Sequence, residues 1–168
     1  KTLGVDPATN VAAMARANGV ETVNEFFNLA TAQRIRAEYG AAKAVIGNNV
    51  LAHVDDTQDF LRGCKAVIGE DGLVIIEMPY LGDLLNRTEY DTIYHEHLCY
   101  FSVNSLMRLC ESAGLVIIGL TGEVEETVPW GELALMSLGD IPRQGGSSTA
   151  RMPETGRRHR PIIALNEI

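Results

Sequence analysis

The chain has 168 residues, 46% apolar and 21% charged, which is enough for one soluble globular domain with a buried core. A net charge of −8 argues against a nucleic-acid binder, because a phosphate backbone needs a basic patch. No run of about 18 apolar residues is present, so no membrane span is expected. No secretory leader is read at the start. Cys64, Cys99 and Cys110 are scattered, without a CxxC pair, and are expected to be free core thiols in a reducing, cytoplasmic setting.

Strands and helices alternate along the chain. Thr2–Val5 is a short apolar run ending in Asp6-Pro7 and reads as a strand tip. Asn10–Asn18 carries Val11, Met14 and Ala15 at helical spacing, with Gly19 as its stop. A short strand is expected at Glu21–Val23. A helix is expected over Asn24–Tyr39, with Phe26, Phe27, Ala30 and Ile35 near one face. Ala42–Gly47 is a continuous apolar strand of the type buried in parallel sheets. Thr57–Val67 reads as a helix capped by Asp55, Asp56 or Thr57, followed by a Gly69–Gly72 turn and a buried strand at Leu73–Met78. A long loop then leads to a helix at Asn104–Ala113 and a strand at Leu115–Leu120. This alternation predicts an α/β fold with a doubly wound, mostly parallel sheet.

Such sheets bind ligands at the carboxyl ends of their strands. Asp6, the pair Asn48 and Asn49, His53, Glu77 and Tyr80 all follow strands, and one crevice is expected to collect them. Asp6 suits both hydroxyls of a ribose, since an ionised acid accepts two charge-assisted bonds. Asp-Pro equally makes an ordinary turn and helix start. The densest chemistry is Tyr94-His95-Glu96-His97, a phenol, two imidazoles and a carboxylate in consecutive positions. Imidazole titrates near neutral pH and can take a proton and return it. His95 is expected to point away and serve structure. Histidines two apart neither share a strand face nor align on a helix, so no metal site is expected.

Gly4-Val-Asp-Pro-Ala-Thr-Asn-Val, Gly47-Asn-Asn-Val-Leu-Ala-His-Val and Ile93-Tyr-His-Glu-His resemble the sugar C-methyltransferases. These are class I enzymes that use S-adenosylmethionine to methylate a ring carbon of nucleotide-linked deoxy keto sugars; the tetronitrose-type enzyme is the nearest picture. The likeness runs over residues 1–127. It implies a Rossmann-like fold, S-adenosylmethionine as cofactor and a small nucleotide-sugar substrate, and it leaves the oligomeric state unspecified. Asp6 would bind the cofactor ribose, Phe26, Phe27 and Asn28 would lie near its adenine, and Asn48 and Asn49 near its amino-acid end. His97 would be the general base, supported by Glu96, with Tyr94 and His53 also in the site. Carbon becomes a nucleophile when a proton alpha to a ketone is removed, and a base near neutral pKa serves that step.

The chain departs from the family pattern at both ends. The family's first strand, its glycine-rich loop and an amino-terminal zinc region are not seen, so a partial sheet is expected, with two inner strands unpartnered or paired with each other. Weak or no cofactor binding is the corresponding expectation. Residues 128–168 drift into Gly-, Ser- and Arg-rich text, with five Arg against two Glu after residue 142. They are expected to form a disordered or irregular tail. Codons for Pro129-Trp-Gly-Glu-Leu-Ala read in the next frame begin His-Gly-Gly-Ser-Leu, the segment the family would carry, so a reading-frame shift near Val128 is expected. Two alternatives stand beside the enzyme: a non-catalytic remnant or nucleotide-binding module, and more weakly a nicotinamide-dependent enzyme, for which no G-x-G-x-x-G is present.

Overall fold

The computed structural model describes residues 1–69, 72–125, 128–137 and 162–165. In chain order the elements are β1 (Thr2–Val5), α1 (Thr9–Ala17), β2 (Glu21–Val23), α2 (Leu29–Tyr39), β3 (Ala44–Asn48), α3 (Thr57–Ile68) and β4 (Leu73–Pro79). There follow α4 (Leu81–Arg87), a 3₁₀ turn (Tyr90–Thr92), α5 (Val103–Ser112), β5 (Leu115–Glu125), β6 (Val128–Ser137) and β7 (Ile162–Leu165).

The strands form one sheet in the order β2-β1-β7-β3-β4-β6-β5. All pairs from β2 to β4 are parallel, while β6 runs antiparallel to β4 and β5. This is the expected α/β, mostly parallel sheet. Registers place Leu3, Ile163, Val45 and Val74 in one cross-strand row, and Val5, Leu165, Gly47 and Ile76 in the next. Both rows are buried, and their apolar members join Phe60, Leu61, Cys64 and Val67 of α3 in the core. The alternate row, Gly4, Ala164, Ile46 and Ile75, faces the other way and is exposed or half-buried. A strand's period of two puts the core on one side of the sheet.

Local signals set the helix ends. Asn28 caps α2, its side chain accepting from Thr31 N at 2.8 Å, so that helix begins at Leu29 instead of Asn24. Residues 24–28 are thereby left as a loop at the end of β2. Asp56 caps α3 by accepting from Asp59 N at 2.9 Å, and Gly69 ends it at φ 74°. Gly63 lets α3 approach that loop closely, since a Cβ there would sit 3.0 Å from the Asn28 backbone. Ser102 and Ser105 form a reciprocal capping box at the start of α5.

Three expectations are corrected. The loop after β4 contains α4 and the 3₁₀ turn, a short helix whose Gly82 weakens the helical pattern in sequence. The segment from 128 onward is not irregular throughout, because Val128–Ser137 and Ile162–Leu165 are strands; its remainder lies outside the described residues. Nor are the two inner strands left unpartnered. β7 lies between β1 and β3 and pairs with both, and its apolar Ile-Ile-Ala-Leu run satisfies their buried N–H and C=O groups.

Candidate active site

Asp6, Asn49 and His53 lie just beyond the carboxyl ends of β1 and β3. Asp6 follows β1 and is only 2% exposed. Its Oδ1 accepts from Ala8 N at 2.7 Å, which starts α1, and its Oδ2 has no hydrogen-bond partner. On the other side of β7, Asn49 follows β3 in the left-handed region at φ 56°, a conformation asparagine tolerates. Its N–H donates to the Glu77 carbonyl at 2.9 Å, while its buried Oδ1 is also without a partner. Val5, Leu165 and Gly47 are in register, so Asp6 and Asn48 stand one residue beyond, two strand spacings or about 10 Å apart. A buried acceptor left unpaired costs about 1–3 kcal/mol. Two such acceptors lie at the carboxyl ends of β1 and β3.

The loop after β2 forms the next wall. Asn24, which sequence reasoning did not single out, donates from Nδ2 to the carbonyls of Asp6 and Pro7, both at 2.9 Å, and ties this loop to the Asp6 turn. Of the three residues expected near an adenine, Phe27 is buried edge-on against Phe60, and the Asn28 side chain is occupied in capping α2. The Phe26 ring is presented outward. A cavity of about 300 Å³ opens here, lined by Phe26, Phe27, Phe60, His53 and the carboxylates Asp55, Asp56 and Asp59. Asp59 Oδ2 accepts from Leu29 N at 3.1 Å, which locks α3 to the loop. These acids carry only capping signals in the sequence, so their place in a cavity was not legible.

His53 leads from this cavity to the histidine cluster. The turn Val50–His53 follows β3, and the Ala52 carbonyl accepts from Leu98 N at 2.8 Å and Cys99 N at 3.3 Å. That clip brings the loop after α4 against the loop after β3. The His53 and His97 rings lie 4.8 Å apart, centroid to centroid. Burial holds the His53 pKa below the ordinary value, and the neighbouring His97 lowers it further. The Glu96 backbone and charge oppose that shift.

His97 N donates to the Tyr94 carbonyl at 3.1 Å, a turn that carries the two side chains to one side. Tyr94 Oη lies 3.1 Å from His97 Nε2 with ring centroids 4.2 Å apart, and Tyr100 meets His97 edge-on at 5.9 Å. His97 Nδ1 lies 2.8 Å from the Thr92 carbonyl oxygen, to which the Tyr100 hydroxyl also donates at 3.3 Å. His95 points into solvent, its side chain 90% exposed. Glu96 differs from the role that the resemblance implies. Its exposed carboxylate lies 3.7 Å from His95 Nε2, and the contact on His97 Nδ1 is made by a main-chain oxygen instead. The turn sends consecutive side chains apart, which the linear motif does not reveal. Among the described residues, no group of three or more His, Cys, Asp or Glu is placed to hold a metal ion, and no helix is long and apolar enough to cross a membrane.

An open, mostly parallel sheet flanked by helices is the Rossmann-like fold of S-adenosylmethionine-dependent methyltransferases. Residues 1–120 match the family described as "Methyltransferase domain", and the chain belongs to that family. It is 42% identical over 118 residues to the C-methyltransferase NovU of Streptomyces niveus, covering 70% of this chain and 28% of that protein. The chain therefore spans little more than a quarter of that relative's length. Two solved structures share the fold. One is an S-adenosylmethionine-dependent methyltransferase of Thermotoga maritima, with a TM-score of 0.57 at 14% identity over 80% of this chain and 72% of the other. The second is the magnesium protoporphyrin IX methyltransferase of Synechocystis with bound S-adenosylhomocysteine, with a TM-score of 0.55 at 11% identity over 80% and 63% of the two chains.

Proposed function

We propose that this chain carries the cofactor edge and the catalytic base of an S-adenosylmethionine-dependent C-methyltransferase. Its substrate in this reading is a nucleotide-linked deoxy sugar, methylated at a carbon alpha to the ketone. The observation that carries the reading is that two unpartnered buried acceptors follow β1 and β3, while the turn after β3 carries His53 to the Tyr94–His97 pair. The residues fit the cofactor. Asp6 Oδ2 would accept from its ribose hydroxyls, Asn48 and Asn49 Oδ1 would face its amino-acid end, and Phe26 would cover its adenine. When bound, the cofactor supplies an electrophilic methyl group.

The rest of the chemistry belongs to the chain. His97 takes the proton from the carbon alpha to the ketone, and the bonding pair left behind becomes an enolate. A donor near the enolate oxygen, such as His53, stabilises it. Holding carbon and methyl in line supplies much of the remaining barrier reduction. The 42% identity to a protein named a C-methyltransferase supports carbon as the acceptor.

Proton removal is testable without methyl transfer. In D₂O the chain should exchange the alpha proton of a nucleotide-linked deoxy keto sugar for deuterium, and His97→Asn should slow this by about 10²–10⁴-fold. Exchange no faster than in buffer, or unchanged in the variant, contradicts the proposal. A second reading, a non-catalytic remnant, is favoured by one observation: the central strand β7 comes from the Gly-, Ser- and Arg-rich segment. A shifted reading frame near Val128 accounts for that segment's composition, and the coding DNA decides it.

A further inference from the structure

We propose that Thr92 is the positioning residue of the His97 base: its carbonyl selects the Nδ1–H form of the ring and leaves the Nε2 lone pair turned toward Tyr94. This rests on the reading of His97 as the base. A carbonyl oxygen only accepts, so the 2.8 Å contact requires His97 Nδ1 to be the donor. In the neutral ring Nε2 is then bare, and the Tyr94 phenol at 3.1 Å donates to it. The hydrogen bond made by one ring nitrogen decides which form the other takes.

The carbonyl is itself held in place. Thr92 N and Thr92 Oγ1 both donate to the Glu89 carbonyl, at 3.2 and 2.8 Å. Glu89 N donates to the carbonyl of buried Leu84 at 3.1 Å, which anchors the 3₁₀ turn to α4. Ile93 N donates to the Tyr90 carbonyl at 3.1 Å and closes the turn. The Tyr100 hydroxyl uses the second lone pair of the Thr92 oxygen. When Nε2 gains a proton from carbon, the Nδ1–H bond becomes charge-assisted and strengthens, with no carboxylate on the ring. The groups around the imidazole are His53, Tyr94 and Tyr100, while the Glu96 carboxylate lies on His95.

Long-range proton–nitrogen NMR on the full chain, with labelled histidine and at a pH where the ring is neutral, reads the tautomer directly. The expected spectrum shows His97 with Nδ1 protonated and Nε2 bare. Thr92→Val removes the hydroxyl bond to Glu89 and should let the Nε2–H form appear, whereas Tyr100→Phe should leave the Nδ1–H form in place. Nε2–H in the unmodified chain overturns the proposal, whatever the variants do. So does a folded Thr92→Val with the tautomer unchanged, or a tautomer lost in Tyr100→Phe alone. The measurement involves no substrate, so a failed deuterium exchange with the tautomer as expected refutes the base and not the positioning.

Discussion

His53 is the group whose titration reports the site. Burial and the His97 ring both disfavour its charged form, so it should titrate below the ordinary 6.5. As the pH falls, the unfolded chain takes this proton first. The contribution of His53 to stability is therefore complete above pH 6.5 and is lost as the pH drops through that value toward the folded pKa. Proton NMR of the His53 ring should show the lowered midpoint, and His97→Asn should raise it by removing a like charge. A midpoint at or above 6.5 in the unmodified chain contradicts the packing described. Tyr94 and His97 stood out in the sequence because four consecutive proton-handling groups, Tyr94 to His97, serve few structural needs. Asp6 was legible from its place after a strand. Thr92 was not, because it acts through its main chain and any residue carries a carbonyl. That the Glu96 carboxylate lies against His95 was not legible, because the linear motif does not say which way a turn sends a side chain.

Helices and strands with strong periodicity were legible within a few residues, and the failures have local causes. α2 starts five residues late because Asn28 takes the cap, and that delay creates the loop bearing Phe26. Gly63 supports the same loop. Gly63→Ala gains about 1 kcal/mol of helix propensity, but the new Cβ meets the Asn28 backbone at 3.0 Å and Phe27 Cε1 at 3.1 Å. Backbone cannot move aside as a side-chain tip can, and overpacking of this kind costs about 1–3 kcal/mol. Denaturant unfolding should therefore show a net loss of stability, and a more stable variant would show that α3 and the loop do not touch this closely. β7 was hidden because four apolar residues are lost in polar, Arg-rich text, and only the empty place between β1 and β3 gives them a function. Ile163 is fully buried there. Ile163→Ala should cost about 2–5 kcal/mol, the range for large-to-small changes in a core. A change under ~0.5 kcal/mol, typical of surface positions, would remove β7 from the centre of the sheet.

The family match ends at residue 120, so it spans β1 to the first part of β5, with β6 and β7 beyond it. Asp6, the Phe26 loop, Asn49 and the histidine cluster all lie within the match. The fold class was legible because a parallel sheet buries continuous apolar runs, and the sheet edge then fixes where ligands go. The side-by-side placement of β1, β7 and β3 was not, since pairing partners far apart in sequence leave no local signature. The account as a whole stands on the proposed cofactor edge between Asp6 and Asn49. Amide NMR of the full chain titrated with S-adenosylhomocysteine tests it most directly. Saturable shifts centred on Asp6, Phe26 to Asn28, Asn48 and Asn49, weak in affinity and abolished by Asp6→Ala, are predicted. No saturable shifts, or shifts elsewhere that survive Asp6→Ala, would contradict it.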